Sequence, residues 1–286
     1  MHKKSPQETE ISQIKRLKEE IKRLRKALHS CTPDLKTLLR RKGFCIYKKE
    51  PVADLVIPAK ASMSHQFYEK LKKYSFRLFL RDVIKHQQFF RVEDVTRYAT
   101  KEVTLKYINF LIKAGLVGQI DEGYRLIRGP IKSFGDTLEW FMARLLKKEF
   151  GAEVIWGVKF KRPKVGGDYD LIARLDSSIL YVEIKSSPPK QIYDKEITAF
   201  LDRVIDLSPE VSIFFLDTEL RMKDKIVPMF EAELKRRYKR PVPVERMKGE
   251  LFHINRRVFI INSKETIEAN LRTVLNFSLF RKEGIL

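Results

Sequence analysis

Apolar residues near the start of the chain recur at alternating spacings of three and four, at Ile14, Leu17, Ile21, Leu24 and Leu28. Isoleucine at positions 14 and 21 with leucine at 17 and 24 predicts a basic amphipathic helix over residues 8–29 with a seam of coiled-coil type, about two heptads long. Such a seam suits a homodimer or packing against the rest of its own chain. Pro33 ends the pattern, and residues 33–73 form a weakly patterned connecting segment. Within it, LKTLLRRKGF reads as a short helix stopped at Gly43, while CIYKK and ADLVIP read as short strands.

Helical periodicity returns in YSFRLFLRDVIKHQ and continues through the short VEDVTRYA and the longer TKEVTLKYINFLIKAGLV. Thr100 is the expected N-cap of the last of these, and Gly115 its stop. Two short β-like runs follow, on either side of Asp121-Glu122-Gly123. Three helices and a hairpin within residues 74–129 resemble a winged helix-turn-helix. That resemblance implies a third helix directed at the major groove, with Lys101, Thr104, Lys106 and Asn109 on its exposed side and Arg125 and Arg128 near the wing. Winged helices also serve as protein-interaction modules, so packing is the plainer alternative.

Beyond Gly129-Pro130 the texture becomes that of an α/β core spanning 130–286. GDTLEWFMARLLKKEF places Leu138, Phe141, Met142, Leu145 and Leu146 on one stripe, with Glu139 at its margin. EVIWGVKF reads as a strand. The basic loop KRPKVGG, with Lys161, Arg162 and Lys164, then leads into the hairpin GGDYDLIARLDSSILYVEIK. VSIFFLD is a continuous apolar run of the kind buried on both faces. Helices are expected in IYDKEITAFLDRVID, in KDKIVPMFEAELKRRYKR despite Pro228, and in KETIEANLRTVLNFSLF; LFHINRRVFIINS holds one or two strands.

The hairpin carries the candidate chemistry. If two of Asp176, Ser177 and Ser178 form its loop, Asp170 stands opposite residue 183 or 185, and strand alternation puts Asp170, Glu183 and Lys185 on one face. Asp168 shares that face by the same alternation; Asp170 is preferred because it leads directly into the apolar run LIA. Carboxylates on adjacent strands suit a hard divalent cation such as Mg²⁺ or Mn²⁺, and a neighbouring lysine suits a phosphate or an attacking water. A surface ion pair between Glu183 and Lys185 is the plainer alternative.

Composition narrows the partner. The chain has 58 Lys and Arg against 37 Asp and Glu, a net charge of +21, which favours nucleic acid over other partners. No apolar run approaches the roughly 20 residues a membrane span needs. The N-terminal MHKKSPQETE lacks the apolar core of a secretory signal, and two cysteines without a CxxC fit a reducing, cytoplasmic setting. The five histidines show no HxH or HxxxH spacing, and no GxxxxGK[ST], GxGxxG or GxSxG occurs.

Glu139, Asp170, Glu183-Ile184-Lys185 and the helix after Pro189 follow one another as in the PD-(D/E)xK phosphodiesterases, the restriction-endonuclease-like fold. GGDYDLIA with LYVEIKSS is most similar to the branch of Holliday-junction resolvases and Mrr-type enzymes, and the likeness covers 135 to about 217. It implies a mixed sheet flanked by helices and Mg²⁺- or Mn²⁺-dependent cleavage of a nucleic-acid backbone, with DNA favoured and RNA left open. It further implies Asp170, Glu183 and the Ile184 backbone carbonyl as metal ligands and Lys185 as the residue that positions water. Glu139 would be an additional acidic group, and Lys190 or Gln191 the polar residue past the lysine. The alternative is a non-catalytic nucleic-acid-binding or assembly protein on the same scaffold.

Overall fold

The structure is a computed structural model that describes residues 33–161 and 165–279, together with positions 13, 14, 16, 17, 19–21, 23, 24 and 27. Those early positions are helical, and Ile14, Leu17, Ile21 and Leu24 of the seam are exposed; Leu28 lies outside the described residues. The chain divides into two compact units, Met1–Cys45 and Ile46–Leu286. In the first, Asp34 caps helix α1 (Leu35–Arg41) by accepting the Thr37 amide at 2.7 Å, and Gly43, in left-handed backbone at φ 90°, ends it.

The second unit begins with β1 (Ile46–Lys48), α2 (Ala61–Leu71), α3 (Tyr74–Lys85), a 3-10 turn at Val92–Val95, α4 (Lys101–Lys113) and the hairpin β2 (Val117–Ile120) and β3 (Gly123–Leu126). It continues through α5 (Gly135–Phe150), β4 (Glu153–Phe160), β5 (Tyr169–Leu175), β6 (Ser178–Lys185), α6 (Asp194–Leu207), β7 (Val211–Leu216) and α7 (Ile226–Tyr238). It closes with β8 (Glu245–Lys248), β9 (Leu251–Ile254), β10 (Val258–Ile261) and α8 (Ile267–Leu279). Eight strands form one mixed sheet in the order β1-β4-β5-β6-β7-β10-β9-β8. The β6–β7 and β7–β10 pairs are parallel and the rest antiparallel. The α/β expectation with a helix-flanked mixed sheet is therefore met. Among the described residues no helix is long and apolar enough to cross a membrane.

Strand alternation divides the core. Leu171, Val182, Ile213 and Phe215 face one side, where they join Phe67, Phe76, Leu80 and Phe141 from α2, α3 and α5. The alternate residues Tyr181 and Phe214 face the other side. There the rings of Tyr181, Phe200, Phe214 and Phe230 follow one another at centroid distances of 5.7, 5.2 and 5.3 Å, joining α6 and α7 to the sheet. Every residue of β7 is buried, Ser212 included, as a strand apolar at its other five positions requires.

In the helical stretch, Thr100 caps α4 by accepting the Val103 amide, and Gly115 follows it at φ 70°. Hairpin β2–β3 is joined by Phe90, which exchanges backbone hydrogen bonds with Tyr124 at 2.8 and 2.9 Å. Two expectations are corrected, and one helix is added. VEDVTRYA forms only the 3-10 turn, because the Thr96 hydroxyl donates to the Val92 carbonyl in place of a continuing backbone bond. ADLVIP stays outside any strand, although Val56 donates its amide to the Thr137 hydroxyl at 3.0 Å. Helix α2, which periodicity did not predict, is held by three buried residues, Phe67, Tyr68 and Leu71, rather than by propensity. Pro228 is tolerated because it is the third residue of α7, where its missing N–H has no helical partner.

One buried ionic cluster ties α3 to the sheet. Asp217, just past β7, accepts from Arg77 at 2.8 and 2.9 Å, from Ser263 at 2.6 Å and from Arg81. Burial alone would raise its carboxyl, but the Arg77 and Arg81 charges hold it below the ordinary carboxylate range. Asp217→Ala strands a fully buried guanidinium and should cost about 3–5 kcal/mol. Urea unfolding measures it, and a loss below about 1 kcal/mol, the size of an exposed pair, refutes the assignment.

Candidate functional site

The β5–β6 hairpin turns through Asp176-Ser177, with Asp176 in left-handed backbone at φ 53°, and its register runs from Leu175↔Ser178 to Leu171↔Val182. One further step would set Asp170 against Glu183. There the backbone ladder stops, and Asp170 Oδ2 instead accepts the Ile184 amide at 2.7 Å. On the other neighbour, Gly157 of β4 lies between the paired steps Trp156↔Leu171 and Val158↔Tyr169, at φ 54°. Trp156 and Leu171 face the α5 core, yet Phe160 and Tyr169, of the same alternation, meet each other at 5.1 Å, and Tyr169 meets Tyr181 at 5.3 Å on the α6 side. The sheet thus swaps faces at Gly157 and Asp170. A Cβ on Gly157 would lie 2.3 Å from Pro51 Cδ and 3.7 Å from Glu139 Oε2, so glycine is required where Glu139 approaches from α5.

Glu183 is buried and engaged on every side. It accepts from Lys185 Nζ at 2.7 Å, from Arg203 Nη1 at 2.9 and 3.1 Å, and from the Tyr181 hydroxyl. Lys185 also faces Glu196 at 4.0 Å. Arg203 reaches Glu183 past Gly167, whose φ is 97° and where a Cβ would stand 2.3 Å from Arg203 Nη2. Neither Arg203, Tyr181 nor Glu196 was anticipated. The available signal was Gly167 in the hairpin's approach, and only the tertiary packing of α6 says which side chain fills its space.

The acids of this corner crowd one another. Burial, then the charges of Asp170 and Asp136, push the Glu139 carboxyl up to about 10. Burial and the Glu183 charge push Asp170 up to about 7 against the opposing pull of Lys185. Burial likewise raises Asp136, helped by the charges of Asp54 and Asp168. For Lys185, burial works against the ammonium, but the Glu183 and Asp170 charges more than offset it and its pKa is raised. Asp168 is drawn off by Lys159 at 2.8 Å and is half exposed, so Asp170 is the inner carboxylate of the two.

No protein-family profile and no curated protein matches the chain. Among solved structures it is similar to protein VC1899 from Vibrio cholerae, at 10% identity and TM-score 0.44, with 76% of this chain and 57% of that one covered. It is also similar to Can2 from Sulfobacillus thermosulfidooxidans, solved in complex with cyclic tetra-adenylate, at 13% identity and TM-score 0.47, with 85% and 59% covered. The chain spans less than two thirds of either protein, and likenesses this distant carry no statement about its chemistry.

The remaining candidate residues are dispersed. Lys101 and Lys106 on α4 are exposed and paired with Glu93 at 3.2 Å and Glu102 at 2.5 Å, while Asn109, Arg125 and Arg128 are exposed. Thr104 is corrected: it is fully buried, its hydroxyl donating to the Thr100 carbonyl at 3.0 Å, because it points along the packed stripe with Ile108 and Leu111. Lys161 is exposed, whereas Arg162 and Lys164 lie outside the described residues. Lys190 and Gln191 form a 3-10 turn with Pro189, and the Lys190 carbonyl accepts Lys225 Nζ.

Glu139 and Asp170 offer the oxygen donors a hard cation takes, and a cation would relieve the repulsion that raises both. Among the described residues, however, no group of three or more His, Cys, Asp or Glu stands in a metal-holding arrangement, since Glu183 turns to Lys185 and Arg203.

A pH dependence follows. Glu139 and Asp170 keep protons in the folded chain that the unfolded chain has already released, so folding takes up protons and stability falls as pH rises. In EDTA, the melting temperature should drop between about pH 5 and about pH 9, and Glu139→Gln should flatten that slope. Thermal unfolding followed by circular dichroism checks it; a slope identical in wild type and variant defeats it.

Proposed function

We propose that the chain is a metal-dependent phosphodiesterase that hydrolyses the backbone of DNA, built as a PD-(D/E)xK nuclease-like domain behind a winged-helix-like module and an N-terminal helix. The observation that carries the reading is the convergence of Asp170, Glu183 and Lys185 at the end of the β5–β6 hairpin, with Glu139 approaching across Gly157. A strongly cationic chain draws in a polyanion, and the buried carboxyls of Glu139 and Asp170 supply oxygen donors for a bridging cation.

In this reading Asp170, Glu183 and the Ile184 carbonyl would hold Mg²⁺ or Mn²⁺, with Glu139 as an additional acidic ligand. The cation supplies charge stabilisation at the phosphate and a more acidic bound water. Lys185 stands against Glu183 at 2.7 Å, where it orients the attacking water and offsets phosphate charge. Arg203 holds the Glu183 carboxylate in place from α6. The exposed Lys101, Lys106, Asn109, Arg125 and Arg128 serve the DNA backbone, and the helical seam pairs two copies.

A second reading has one observation in its favour: Glu183 is already satisfied by two cations and a hydroxyl, as in a scaffold that binds nucleic acid without cutting it. It requires salt-dependent binding that persists in EDTA and no cleavage with any metal.

Cleavage of linear, supercoiled, single-stranded and branched DNA, and of RNA, with Mg²⁺, Mn²⁺ or EDTA separates the two. Asp170→Ala, Glu183→Ala and Lys185→Ala should each lower the rate at least about a hundredfold, and EDTA should abolish it. Wild-type cleavage that survives in all three variants removes the site assignment.

A further inference from the structure

A groove of about 350 Å³ lies beside the acidic corner, lined by Arg81, Lys85, Lys132, Ser133, Phe134 and Ser186. A second depression, of about 560 Å³, shares Arg81 and Ser186 with it. The two form one track, and Ser186, common to both, follows Lys185 directly in the chain. Lys132 makes a second connection to the corner. Its amide donates to Asp54 at 3.0 Å, and its charge opposes the burial and the Asp54 and Asp168 charges that raise Asp136.

Cations dominate this wall. Lys85 and Lys132 line the groove, and Arg97 precedes Tyr98 of the second depression. All three are exposed, and none of their side chains forms an ion pair among the described residues. Burial raises Asp82 against the charges of Arg97, Lys85, His86 and Arg81, so one buried acid is ringed by basic groups. Arg81 is already held: it pairs with Asp217 and lies over the Phe134 ring at 5.4 Å. Asp217 is matched by Arg77 and Arg81 together. The acids beside the track are thus buried and outnumbered, while the unpaired lysines face solvent.

These features select a ligand class. Exposed cationic side chains with serine hydroxyls beside them are the groups that contact phosphate and sugar. An ammonium is a point charge, suited to the single charge of a phosphodiester, and lacks the fork that grips a carboxylate at two points. Two depressions joined at Ser186 also offer length, which a chain of phosphates uses and a single ion does not.

We propose that a DNA backbone lies along this track, with Lys85 and Lys132 holding phosphates that flank the one at the acidic corner. The position of the cut bond rests on the phosphodiesterase reading; the track itself is tested by binding alone.

Fluorescence anisotropy in EDTA, with a labelled 20-mer titrated across a range of NaCl concentrations, avoids cleavage. The slope of log affinity against log salt should become shallower by about 0.9 for a duplex, or about 0.7 for a single strand, in each of Lys85→Gln and Lys132→Gln. The double variant should show the sum, and Lys85→Arg should keep the wild-type slope. Arg240, exposed at the amino ends of β7 and β10 with Ser212 and Val258, serves as the comparison: Arg240→Gln should leave the slope unchanged. Inorganic phosphate and poly-glutamate, added at constant ionic strength, should not displace the DNA. The track is overturned if the double variant keeps the wild-type slope or if Arg240→Gln lowers it equally, which would reflect net charge alone. Displacement by phosphate or by poly-glutamate overturns it too, in favour of a free anion or an acidic protein. A reduced slope without cleavage in Mg²⁺ or Mn²⁺ would retain the track and remove the nuclease; cleavage by a chain whose slope the variants leave unmoved would do the reverse.

Discussion

Two carboxylates buried at the carboxyl ends of adjacent parallel strands organise this protein, because neither can stay charged without partners drawn from elsewhere in the chain. Glu183 on β6 recruits Lys185 from its own strand and Arg203 from α6. Asp217 beyond β7 recruits Arg77 and Arg81 from α3 and the hydroxyl of Ser263 after β10. One carboxylate thus anchors the helix layer on the α6 side of the sheet, and the other anchors α3 on the opposite side. The apolar cores supply most of the burial, and these ionic contacts fix which helix meets which strand end.

The two clusters differ in what they leave over. Around Asp217 two guanidiniums face one carboxylate, and the aspartate is held firmly ionised. Around Glu183 the satisfied carboxylate sits beside Asp170 and Glu139: burial and the Glu183 charge raise Asp170, and burial and the Asp170 charge raise Glu139. The face swap at Gly157 brings them together: it lets an acid from α5 approach one that would otherwise belong to the far face. Carboxyl groups therefore crowd at one corner of a chain whose net charge is +21, where Lys185 and Arg203 face Glu183 and raised affinity for protons offsets the charge of Glu139 and Asp170.

Much of the second unit was legible from pattern. The stripe of α5, the hairpin with its two-residue turn, the apolar run of β7 and the Thr100 cap of α4 each follow from local rules of period, turn chemistry and capping. Elements whose signal lies outside themselves carry no pattern of their own. Helix α2 exists because three residues are buried by its neighbours, and β8 is a polar edge strand made by pairing with β9. Thr104 looked like a surface reader from its position on the third helix of a winged-helix pattern and is instead part of a core.

The sequence by itself determined that Glu183 and Lys185 share one strand face, and it put Asp170 opposite residue 183 or 185 without choosing between them, since turn length alone left both registers open. It also determined the preference for Asp170, which leads straight into the apolar run. Only the tertiary structure decided that Lys159 draws off Asp168, that Glu139 arrives across Gly157, and that Arg203 fills the space left by Gly167. These are contacts between elements distant in the chain. Burial and Coulombic neighbours set their energies, and neither can be read from spacing along a sequence.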